Sequence, residues 1–505
     1  MFRRFDAKKD TYITNKIISG QRQTGSNVGA AGTLDLFKIY GQYQSGSNYL
    51  TELSRILVQF DIESLKNDFS SNKIDITDSS FQCLLELKDV YGGQTNPSEF
   101  NLRVHPLARS WSEGKGIDVI YFQDYSTANF ITASVTTGVF APWFTSGANA
   151  SGSVGTSNID VYDTLNFGTS SVDIFVDQYF EEGTEDLLVD VTNIVSATLT
   201  NQISDNGFRI SFHPNEELDT QTRFVKRFGS RQSIDPSIRP KLIVKYDDSE
   251  ENDRTDFRFD VSGTIFLKNQ TRGNSMNLLS GTSLSEITGS NCLLLNLELS
   301  GVYSQSNFAS QRIVNGVHQT GEYYSSFIIP ASGNSTLLNK INISGSLIFQ
   351  EKWTSLDKTI VFASSSIEIK RQDAFSSEKR PKRYVVSVPG VSPEYEYGEI
   401  ERFRVFIQDF SRPYLKSLKV SQKSKTVILN SYYSIRDAQN NKLIIPFDNI
   451  KNSTKLSSDG EFLFFDLYTD ALIPGGSYVI DIMIEDGSES EIIRNASSIF
   501  RIIKR

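Results

Sequence analysis

The stretch Asn206-Gly-Phe-Arg-Ile-Ser-Phe212 indicates how the first half of this chain folds. Its first two residues both tolerate a positive φ, so the pair predicts a turn. The apolar residues that follow, Phe208, Ile210 and Phe212, alternate with polar ones and predict a strand with one buried face. A turn that leads into an alternating strand is typical of antiparallel β structure.

The segments on either side fit the same interpretation. Upstream, the side chain of Asp190 or Thr192 can accept hydrogen bonds from free backbone N–H groups and so cap a short helix around Ile194. Downstream, Arg239-Pro-Lys-Leu-Ile-Val-Lys-Tyr246 predicts a last strand after a proline, and a polar, mostly acidic run follows at once. We interpret this as the end of a domain near residue 248.

Length and composition predict several β domains. With 505 residues the chain is too long for one hydrophobic core, and we expect two to four domains. Hydrophobic residues make up 38% of the chain, with 34 Phe and 21 Tyr among them, which is enough to fill such cores. Short runs of β-branched and aromatic residues between turn residues favour strands over helices. The predicted fold class is therefore all-β, built from multi-domain β-sandwiches.

Charge and hydropathy disfavour two classes of partner. The formal net charge is −9, and an acidic chain gains little from phosphate backbones, so we expect no nucleic-acid partner. No stretch approaches the roughly 18 consecutive apolar residues of a membrane-spanning helix, so we expect no membrane span. The opening Met1-Phe-Arg-Arg-Phe-Asp6 lacks the apolar core of a signal peptide, which predicts synthesis in the cytoplasm without export.

The order of several motif pieces carries a resemblance to a known family. These pieces are Asp10-Thr-Tyr-Ile13, Arg55-Ile-Leu-Val-Gln-Phe-Asp61, Arg109-Ser-Trp-Ser-Glu-Gly114, Asp190-Val-Thr192, Asn206-Gly-Phe208, Phe228-Gly-Ser230 and Arg239–Tyr246. Together they resemble the DNRLRE-type domain, a jelly-roll module related to carbohydrate-binding modules. The resemblance implies a jelly-roll β-sandwich over residues 1–248. A long Ser/Thr/Gly-rich insert at 126–180 departs from the family pattern and would reshape any ligand surface.

The rest of the chain predicts two further β domains. Long alternating runs such as Phe257–Leu267 and Cys292–Leu299 predict a second β-sandwich at 254–372. A basic, polar stretch, Arg371–Arg383, is interpreted as a linker or an extended edge strand. Short strands separated by turns then predict an Ig-like sandwich at 384–505. With Ile445-Pro-Phe-Asp448 and Leu472-Ile-Pro-Gly-Gly-Ser-Tyr478, this last module is similar to modules of tailed-phage virion proteins.

The residue types that usually carry catalysis are sparse. The three histidines, His105, His213 and His318, do not pair at metal-ligand spacing, and we expect satisfied, half-buried roles for the first two, which lie at strand ends. Glu216-Glu217 is expected to be a solvated turn charge rather than half of a glycosidase pair. We predict no catalytic residues, no cofactor and no metal site, and we interpret the protein as a non-enzyme. A disulfide between Cys83 and Cys292 is not expected either.

Two tryptophans are candidates for binding sugar. The indole face stacks well on sugar rings, so Trp111, in the family-like Trp-Ser-Glu element, and Trp143, in the insert, are possible glycan contacts. The alternative for both is structural anchoring in a core or a loop, and for Trp111, beside a strand end, at the mouth of a sandwich. The sequence favours anchoring for Trp111 and leaves Trp143 open between the two roles.

Two functions fit these observations. The first is a structural component of a phage virion (tail, neck, baseplate or fibre), whose partners are other virion proteins and copies of itself, and which is located in the virion. The second is a carbohydrate-binding or adhesion protein that recognises a cell-surface glycan. β modules in series without a catalytic constellation favour the first, since contact area is what such modules provide.

Overall fold

The computed structural model describes residues 1–71, 73–120, 127–167, 170–249, 257–271, 274–281, 283–314, 317–331, 333–371, 384–409, 428, 430–458, 462–486 and 489–504. Apart from Arg371, the predicted basic linker lies outside the described residues. The chain divides into two compact units. The first unit is Phe2–Ser70 with Phe81–Lys245, and the second is Met1, Ser71–Ser80 and Tyr246–Arg505. The division into three domains, at 1–248, 254–372 and 384–505, stays a prediction.

The first unit consists mainly of antiparallel strands. They are β1 (Phe2–Thr14), β2 (Ile17–Ile18), β3 (Gln21–Arg22), β4 (Thr33–Ser45), β5 (Asn48–Phe60), β6 (Gln82–Leu87), β7 (Phe100–Pro106), β8 (Thr132–Thr136), β9 (Val139–Pro142), β10 (Ser151–Ser153), β11 (Val161–Phe167), β12 (Ser170–Asp173), β13 (Val176–Phe180), β14 (Leu187–Asp190), β15 (Phe208–Phe212), β16 (Arg223–Gly229) and β17 (Lys241–Lys245). Its helices are α1 (Glu63–Ser70), α2 (Thr192–Leu199) and α3 (Pro214–Leu218), with a 3₁₀ turn at Pro236–Ile238.

One long strand joins the two layers of this unit. The main sheet has the order β13-β7-β15-β5-β1-β17-β6-β14, and β4 connects β5 to β16. Residues Phe2–Asp6 of β1 pair with β17, while Ala7–Thr14 pair with β5. The register shifts between Ala7 and Lys9, where the strand changes partner. A strand that changes layers at a bulge forms the corner of a sandwich.

The two end strands of this sheet are joined by a side chain. Gln178 of β13 donates from Nε2 to the carbonyl of Asp186 at 2.8 Å. Its Oε1 accepts the backbone N–H of Leu188, in β14, at 2.8 Å. The amide of Gln178 thus makes the two hydrogen bonds that a backbone peptide would make in a ladder. We call this junction the Gln178 seam.

The stretch Phe208–Phe212 folds as a strand, as predicted, but both of its faces are buried. β15 follows Gly207, whose φ is +84°, and all five of its residues are buried. The prediction that only one face of this strand is buried is therefore wrong, because a second layer covers the face on which Arg209 and Ser211 lie. The helix after β14 begins at Thr192; Asp190 accepts the Thr192 N–H at 2.9 Å, and Val191 takes the cap position without a side-chain bond.

The second unit contains the remaining strands and one longer helix. The strands are β18 (Gly263–Lys268), β19 (Gln270–Thr271), β20 (Asn274–Ser275), β21 (Leu293–Leu299), β22 (Tyr303–Val314), β23 (Val317–Phe327), β24 (Ser346–Thr354), β25 (Val361–Lys370), β26 (Tyr384–Ser387), β27 (Glu394–Glu396), β28 (Ile400–Asp409), β29 (Ser431–Asp437), β30 (Leu443–Ile445), β31 (Ser457–Ser458), β32 (Leu463–Tyr468), β33 (Ser477–Asp486), β34 (Glu489–Ile493) and β35 (Phe500–Ile503). The helix is α4 (Ser335–Ser344), and a 3₁₀ turn spans Thr469–Ala471.

A six-stranded antiparallel sheet organises residues 257–370. Its order is β18-β23-β22-β21-β24-β25. One face packs against Leu337 and Ile341 of α4 and against the aromatic residues Phe257 and Phe259. Trp353 is buried in this cluster, and its Nε1 donates to Glu351 Oε1 at 2.6 Å. The core of this region lies on a single face of the sheet.

Residues 384–504 form two further sheets around an aromatic core. The sheets have the orders β26-β28-β32-β31 and β27-β35-β33-β29-β30, with β34 added to β33. Phe465 of the first sheet stacks on Tyr433 of the second with ring centroids 4.0 Å apart. Phe403 and Phe500, also from opposite sheets, lie 5.8 Å apart. Rings from two facing sheets fill the interior, as in a β-sandwich.

The predicted fold class is confirmed: the protein is all-β and built from several β-sandwich modules. Both cysteines are free, with Cys83 buried and Cys292 half-buried. Among the described residues, no helix has the length and apolar character needed to cross a membrane.

Candidate functional site

Two motif pieces of the first unit, and the residue that follows a third, meet at one partly buried point. Glu113, from the Trp-Ser-Glu element, accepts the backbone N–H of Asp10 at 2.9 Å. The same carboxylate binds the guanidinium of Arg231 through two bonds of 2.7 and 2.5 Å. Asp10 in turn accepts the backbone N–H of Arg231 at 2.6 Å. Residues distant in the sequence therefore form one hydrogen-bonded cluster, which fixes the framework of the sandwich.

Asp10 is the unusual member of this cluster. Its side chain is buried, and within the described part of the chain its Oδ1 atom has no hydrogen-bond partner. Burial raises the pKa of the Asp10 carboxyl to about 7; the N–H of Arg231 opposes that rise, and the charge of Glu113 adds to it. The carboxyl therefore changes its charge close to neutral pH while remaining inside the protein.

The two candidate sugar contacts are both buried in this conformation. Trp111 is 3% exposed and Trp143 is 4% exposed. Trp111 Nε1 donates to the carbonyl of Asn206 at 3.0 Å, and Trp143 Nε1 donates to that of Asn129 at 2.9 Å. Lys9 Nζ lies 4.4 Å from the centroid of the Trp111 ring. Glycan contact at these positions stays a prediction, and it would require the covering residues to move.

Both indoles belong to a layer that covers the main sheet. They form a buried cluster together with residues of β1, β5 and the segment that follows β7, namely Ile13, Leu57, Leu107, Ala128, Ala133, Ala148 and Val161. Ile13 and Leu57 lie on the sheet, and the others belong to the segment Leu107–Val161. The Ser/Thr/Gly-rich insert thus covers a sheet face with small and aromatic side chains.

Two arginines of the sheet hold this layer by its backbone. Arg55 donates from Nη1 to the carbonyl of Gly147 at 2.6 Å and binds both carboxylate oxygens of Glu217, at 3.0 and 2.6 Å. Arg209 donates to the carbonyl of Ala148 at 2.8 Å. Burial lowers the pKa of Arg209 to about 9, and the neighbouring Arg55 lowers it further. Both guanidinium groups are used inside the unit, so neither is available to an external anion.

His105 completes this arrangement as a neutral group. Its Nδ1 lies 2.9 Å from Arg209 Nη2, which has only protons to offer, so Nδ1 acts as the acceptor. The Nε2 atom then carries the proton toward Asp163 Oδ1, 3.1 Å away. Burial lowers the pKa of His105 to about 4, and the charge of Arg209 contributes to the decrease. A hydrogen-bonded, half-buried histidine was expected here. His105 is hydrogen-bonded but is fully buried, at 3% exposure, and its arginine partner was not expected.

The acidic pair Glu216-Glu217 is not solvated as expected. Glu217 is engaged by Arg55, and Glu216 accepts the backbone N–H of Asn101 at 2.8 and 3.1 Å. The expectation was wrong because α3 turns both carboxylates back onto the sheet, where a cation and a free N–H are available. His213, at the start of α3, accepts the Asn215 N–H at 3.3 Å.

The second unit presents a surface of the opposite kind. The six-stranded sheet leaves the face away from α4 in solvent, with Phe308 62% and Ile348 67% exposed. The rings of Phe266 and Tyr324 lie 6.1 Å apart on neighbouring strands of the same face. Beside these rings, hydroxyl side chains of the same face bond to each other, as Thr264 does to Ser326 at 2.9 Å. We call this surface the open face.

The open face is suited to contact with another protein. It combines apolar side chains with hydroxyl groups, as the solvent-facing side of an antiparallel sheet can. Its charged residues are paired across strands, for example Lys352 with Glu298 at 3.6 Å. Exposed apolar side chains on a surface with few free charges are typical of the central part of protein interfaces.

Comparison with known proteins gives structural similarities only. No family model matches the chain, and no curated protein matches it. Among solved structures, it is similar to the D00–D0 domain of intimin at 10% identity and a TM-score of 0.14, covering 50% of this chain and 98% of that one. The N-terminal Ig1-2 module of the Drosophila receptor protein tyrosine phosphatase DLAR gives 9% identity and 0.14, covering 51% and 96%. The D1–D4 ectodomain fragment of ICAM-5 gives 10% and 0.13, covering 59% and 64%. At these values we draw no functional conclusion from them.

Proposed function

We propose that this protein is a non-enzymatic structural component of a phage virion, acting in a tail, neck, baseplate or fibre through protein–protein interfaces. The observation that carries the proposal is the open face, where Phe308 and Ile348 are exposed beside the half-buried rings of Phe266 and Tyr324. Burial of such a face in a static contact removes apolar area from water.

The first unit supports the same proposal in a different way. Its buried cations are engaged by carboxylates and backbone carbonyls of the unit itself, as Arg55 and Arg209 show. These bonds rigidify a scaffold. A module that keeps its shape without a ligand suits a protein whose task is to provide contact area.

Detection of the protein in purified particles tests the proposal. Mass spectrometry of gradient-purified virions should identify this chain, and negative-stain images with an antibody against it should place the label on the tail, neck, baseplate or fibre. Absence from particles that contain the other structural proteins would refute the proposed function.

A substitution on the open face tests the carrying observation. Phe308→Ser should lower incorporation into particles while leaving the unfolding temperature unchanged, since the ring is in solvent. Phe224→Ser is the matched control, because Phe224 is 53% exposed on β16 in the first unit. Equal incorporation of both variants would show that the open face is not the contact surface.

A further inference from the structure

Strands β4 and β5 of the first unit extend beyond the main sheet as a two-stranded ribbon. The neighbouring strand β16 pairs with β4 only as far as Lys38, and β1 pairs with β5 only as far as Ser54. In the part of the chain that the structure describes, no third strand pairs with residues 41–50. A two-stranded ribbon without a further layer is only marginally stable in water. We call residues 39–51 the tyrosine arm.

The composition of the tyrosine arm is that of a surface suited to burial. From Ile39 to Thr51 the sequence is Ile-Tyr-Gly-Gln-Tyr-Gln-Ser-Gly-Ser-Asn-Tyr-Leu-Thr, with three tyrosines and no charged residue. Charged residues make up 22% of the whole chain, so their absence from a protruding segment is unusual. The central part of a protein interface is likewise rich in tyrosine and poor in charge.

One face of the tyrosine arm presents a fixed aromatic ring. Tyr49 is 53% exposed, and its ring centroid lies 5.8 Å from that of Tyr40. A Cβ at Gly41 would lie 3.4 Å from Tyr49 Cδ1, so the ring lies over the backbone of that glycine. Gln44 is the direct cross-strand partner of Tyr49, and its amide therefore shares the same face. A ring held in this way loses little conformational freedom on binding.

The open face of the second unit offers a layer of matching chemistry. Phe266, Tyr324 and Ser310 are successive cross-strand partners on β18, β23 and β22. The exposed Phe308 lies two residues from Ser310 on the same side of β22. None of these four residues is charged, and we call them the uncharged patch. In the first unit, the insert covers a sheet face with small and aromatic side chains. A ribbon can cover the uncharged patch in the same way, by packing face to face.

We propose that the tyrosine arm of one copy of this chain packs on the uncharged patch of a second copy. This inference rests on the proposed function, because it assigns a partner to the open face. The contact buries rings, amides and hydroxyl groups and no charge from either surface. It joins two different surfaces, so each copy keeps one free arm or one free patch and can bind a further copy. Such a contact builds a ring or a fibre rather than a closed dimer.

Complementation between two variants tests the docking. Sedimentation velocity of the purified wild-type chain should show oligomers larger than dimers that grow with concentration. Tyr49→Lys and Phe308→Lys each place an ammonium group in the contact, and each variant alone should associate at least about tenfold more weakly. Their equimolar mixture should form dimers and nothing larger, because one variant supplies an intact arm and the other an intact patch.

Two lysine variants outside the contact serve as controls. Tyr179 in β13 is 55% exposed and Phe140 in β9 is 56% exposed, close to the exposure of the two test residues. Tyr179→Lys and Phe140→Lys should therefore associate like the wild type. All four variants should keep the wild-type unfolding temperature, since each side chain lies in solvent.

Hydrogen exchange gives a second, independent measurement. Deuterium uptake at residues 41–50 should slow as the wild-type concentration rises, and it should not slow in Phe308→Lys. The docking is refuted if the wild-type chain stays monomeric, if either test variant alone associates like the wild type, or if the mixture forms no dimers. An arm that pairs with another arm would leave Phe308→Lys unaffected and is refuting in the same way. The proposed function would survive each of these results, because it depends on presence in particles.

Discussion

In the first unit, β5 and β15 lie beneath the insert and carry Arg55 and Arg209 into the interior. In the second unit, β21 and β24 carry Glu298 and Lys352 on a face that remains in solvent. β15 and most of β21 alternate apolar and polar residues, so these two strands resemble each other in sequence. The difference is that one sheet is covered on both faces and the other on one face.

This comparison shows what decides the role of a charged strand residue. On the open face, Lys352 and Glu298 are partly solvated, and such a pair contributes little to stability. Under the insert, charged side chains are desolvated and are held by hydrogen bonds within the unit, as Arg55 and Arg209 are. The covering segment, rather than the strand itself, converts a surface charge into a structural one.

The largest expected effect removes one buried cation. Arg209→Met should lower the free energy of unfolding of the first unit by about 3–5 kcal/mol. The reason is that the carbonyl of Ala148 and Nδ1 of His105, both within the covered layer, lose their hydrogen-bond donor. Lys352→Met, the corresponding change on the open face, should alter stability by less than about 1 kcal/mol. Denaturant unfolding of both variants measures the difference. Similar losses would show that the covering layer does not matter.

The next effect concerns a buried acid. The folded-state pKa of Asp10 is about 7, above its ordinary value of 3.8, so the folded protein holds this proton more tightly than the unfolded chain. The stability that Asp10 contributes is complete below pH ~4 and is lost as the pH rises through 7. The stability of Asp10→Asn relative to the wild type should therefore increase between pH 5 and pH 8, by about 2–4 kcal/mol. A constant difference over this range would contradict the burial of an ionisable Asp10.

His105 gives the wild-type protein an opposite slope. Its folded-state pKa is about 4, below the ordinary 6.5, so its contribution is present above 6.5 and is lost as the pH falls toward 4. In the wild type the Asp10 and His105 contributions partly cancel between pH 4 and 6.5. Asp10→Asn should expose the histidine slope alone, which thermal unfolding at several pH values would reveal.

A glycine under the covering layer should show a smaller effect. Gly147 has a φ of +83°, and a Cβ there would lie 2.6 Å from Arg55 Nη1 and 2.8 Å from the Phe130 ring. Gly147→Ala should lower stability by about 2–3 kcal/mol, from backbone strain plus displacement of the arginine. Gly138 has a φ of +80° with open space around it. Gly138→Ala should therefore lower stability by about 1–2 kcal/mol, from strain alone. Equal losses of stability in the two variants would show that a side chain at position 147 does not displace Arg55.

The smallest effect is expected on the open face. Ile348 is 67% exposed, so Ile348→Ala should change the free energy of unfolding by less than about 0.5 kcal/mol. The next residue, Phe349, points to the buried face, and Phe349→Ala should lower stability by about 3–5 kcal/mol. A large effect of Ile348→Ala in isolated protein would show that the open face is covered in solution.

The sequence predicted the fold class and many of the strands because these depend on local alternation. It did not predict that β15 would be buried on both faces, since nothing in Phe208–Phe212 indicates that a segment 60 residues upstream folds over it. The motif order indicated that Asp10 and Glu113 belong to one framework, but not that they touch, and it did not include Arg231. One signal was available for the covering layer: Arg55 is followed directly by the apolar run Ile56-Leu57-Val58, which is typical of a strand buried on both faces.

The candidate sites show the same contrast between what a local sequence pattern predicts and what distant segments decide. Tryptophans were singled out for their chemistry, and the structure uses Trp111 and Trp143 to cover a sheet. The exposed residues Phe308 and Ile348 were overlooked, because in an alternating strand an apolar residue on the outer face is hard to distinguish from one on the inner face. Exposure depends on which face is covered, and that is a property of distant segments.

The Gln178 seam has a mechanical consequence. The ladders of the first unit resist separation by many backbone bonds that share a load, whereas β13 and β14 are held at this point by one side-chain amide with two bonds. A force that pulls these two strands apart therefore loads the two hydrogen bonds of Gln178 directly. Under tension applied across them, the sandwich should open first at Gln178, and closing should require only that one side chain return to its place.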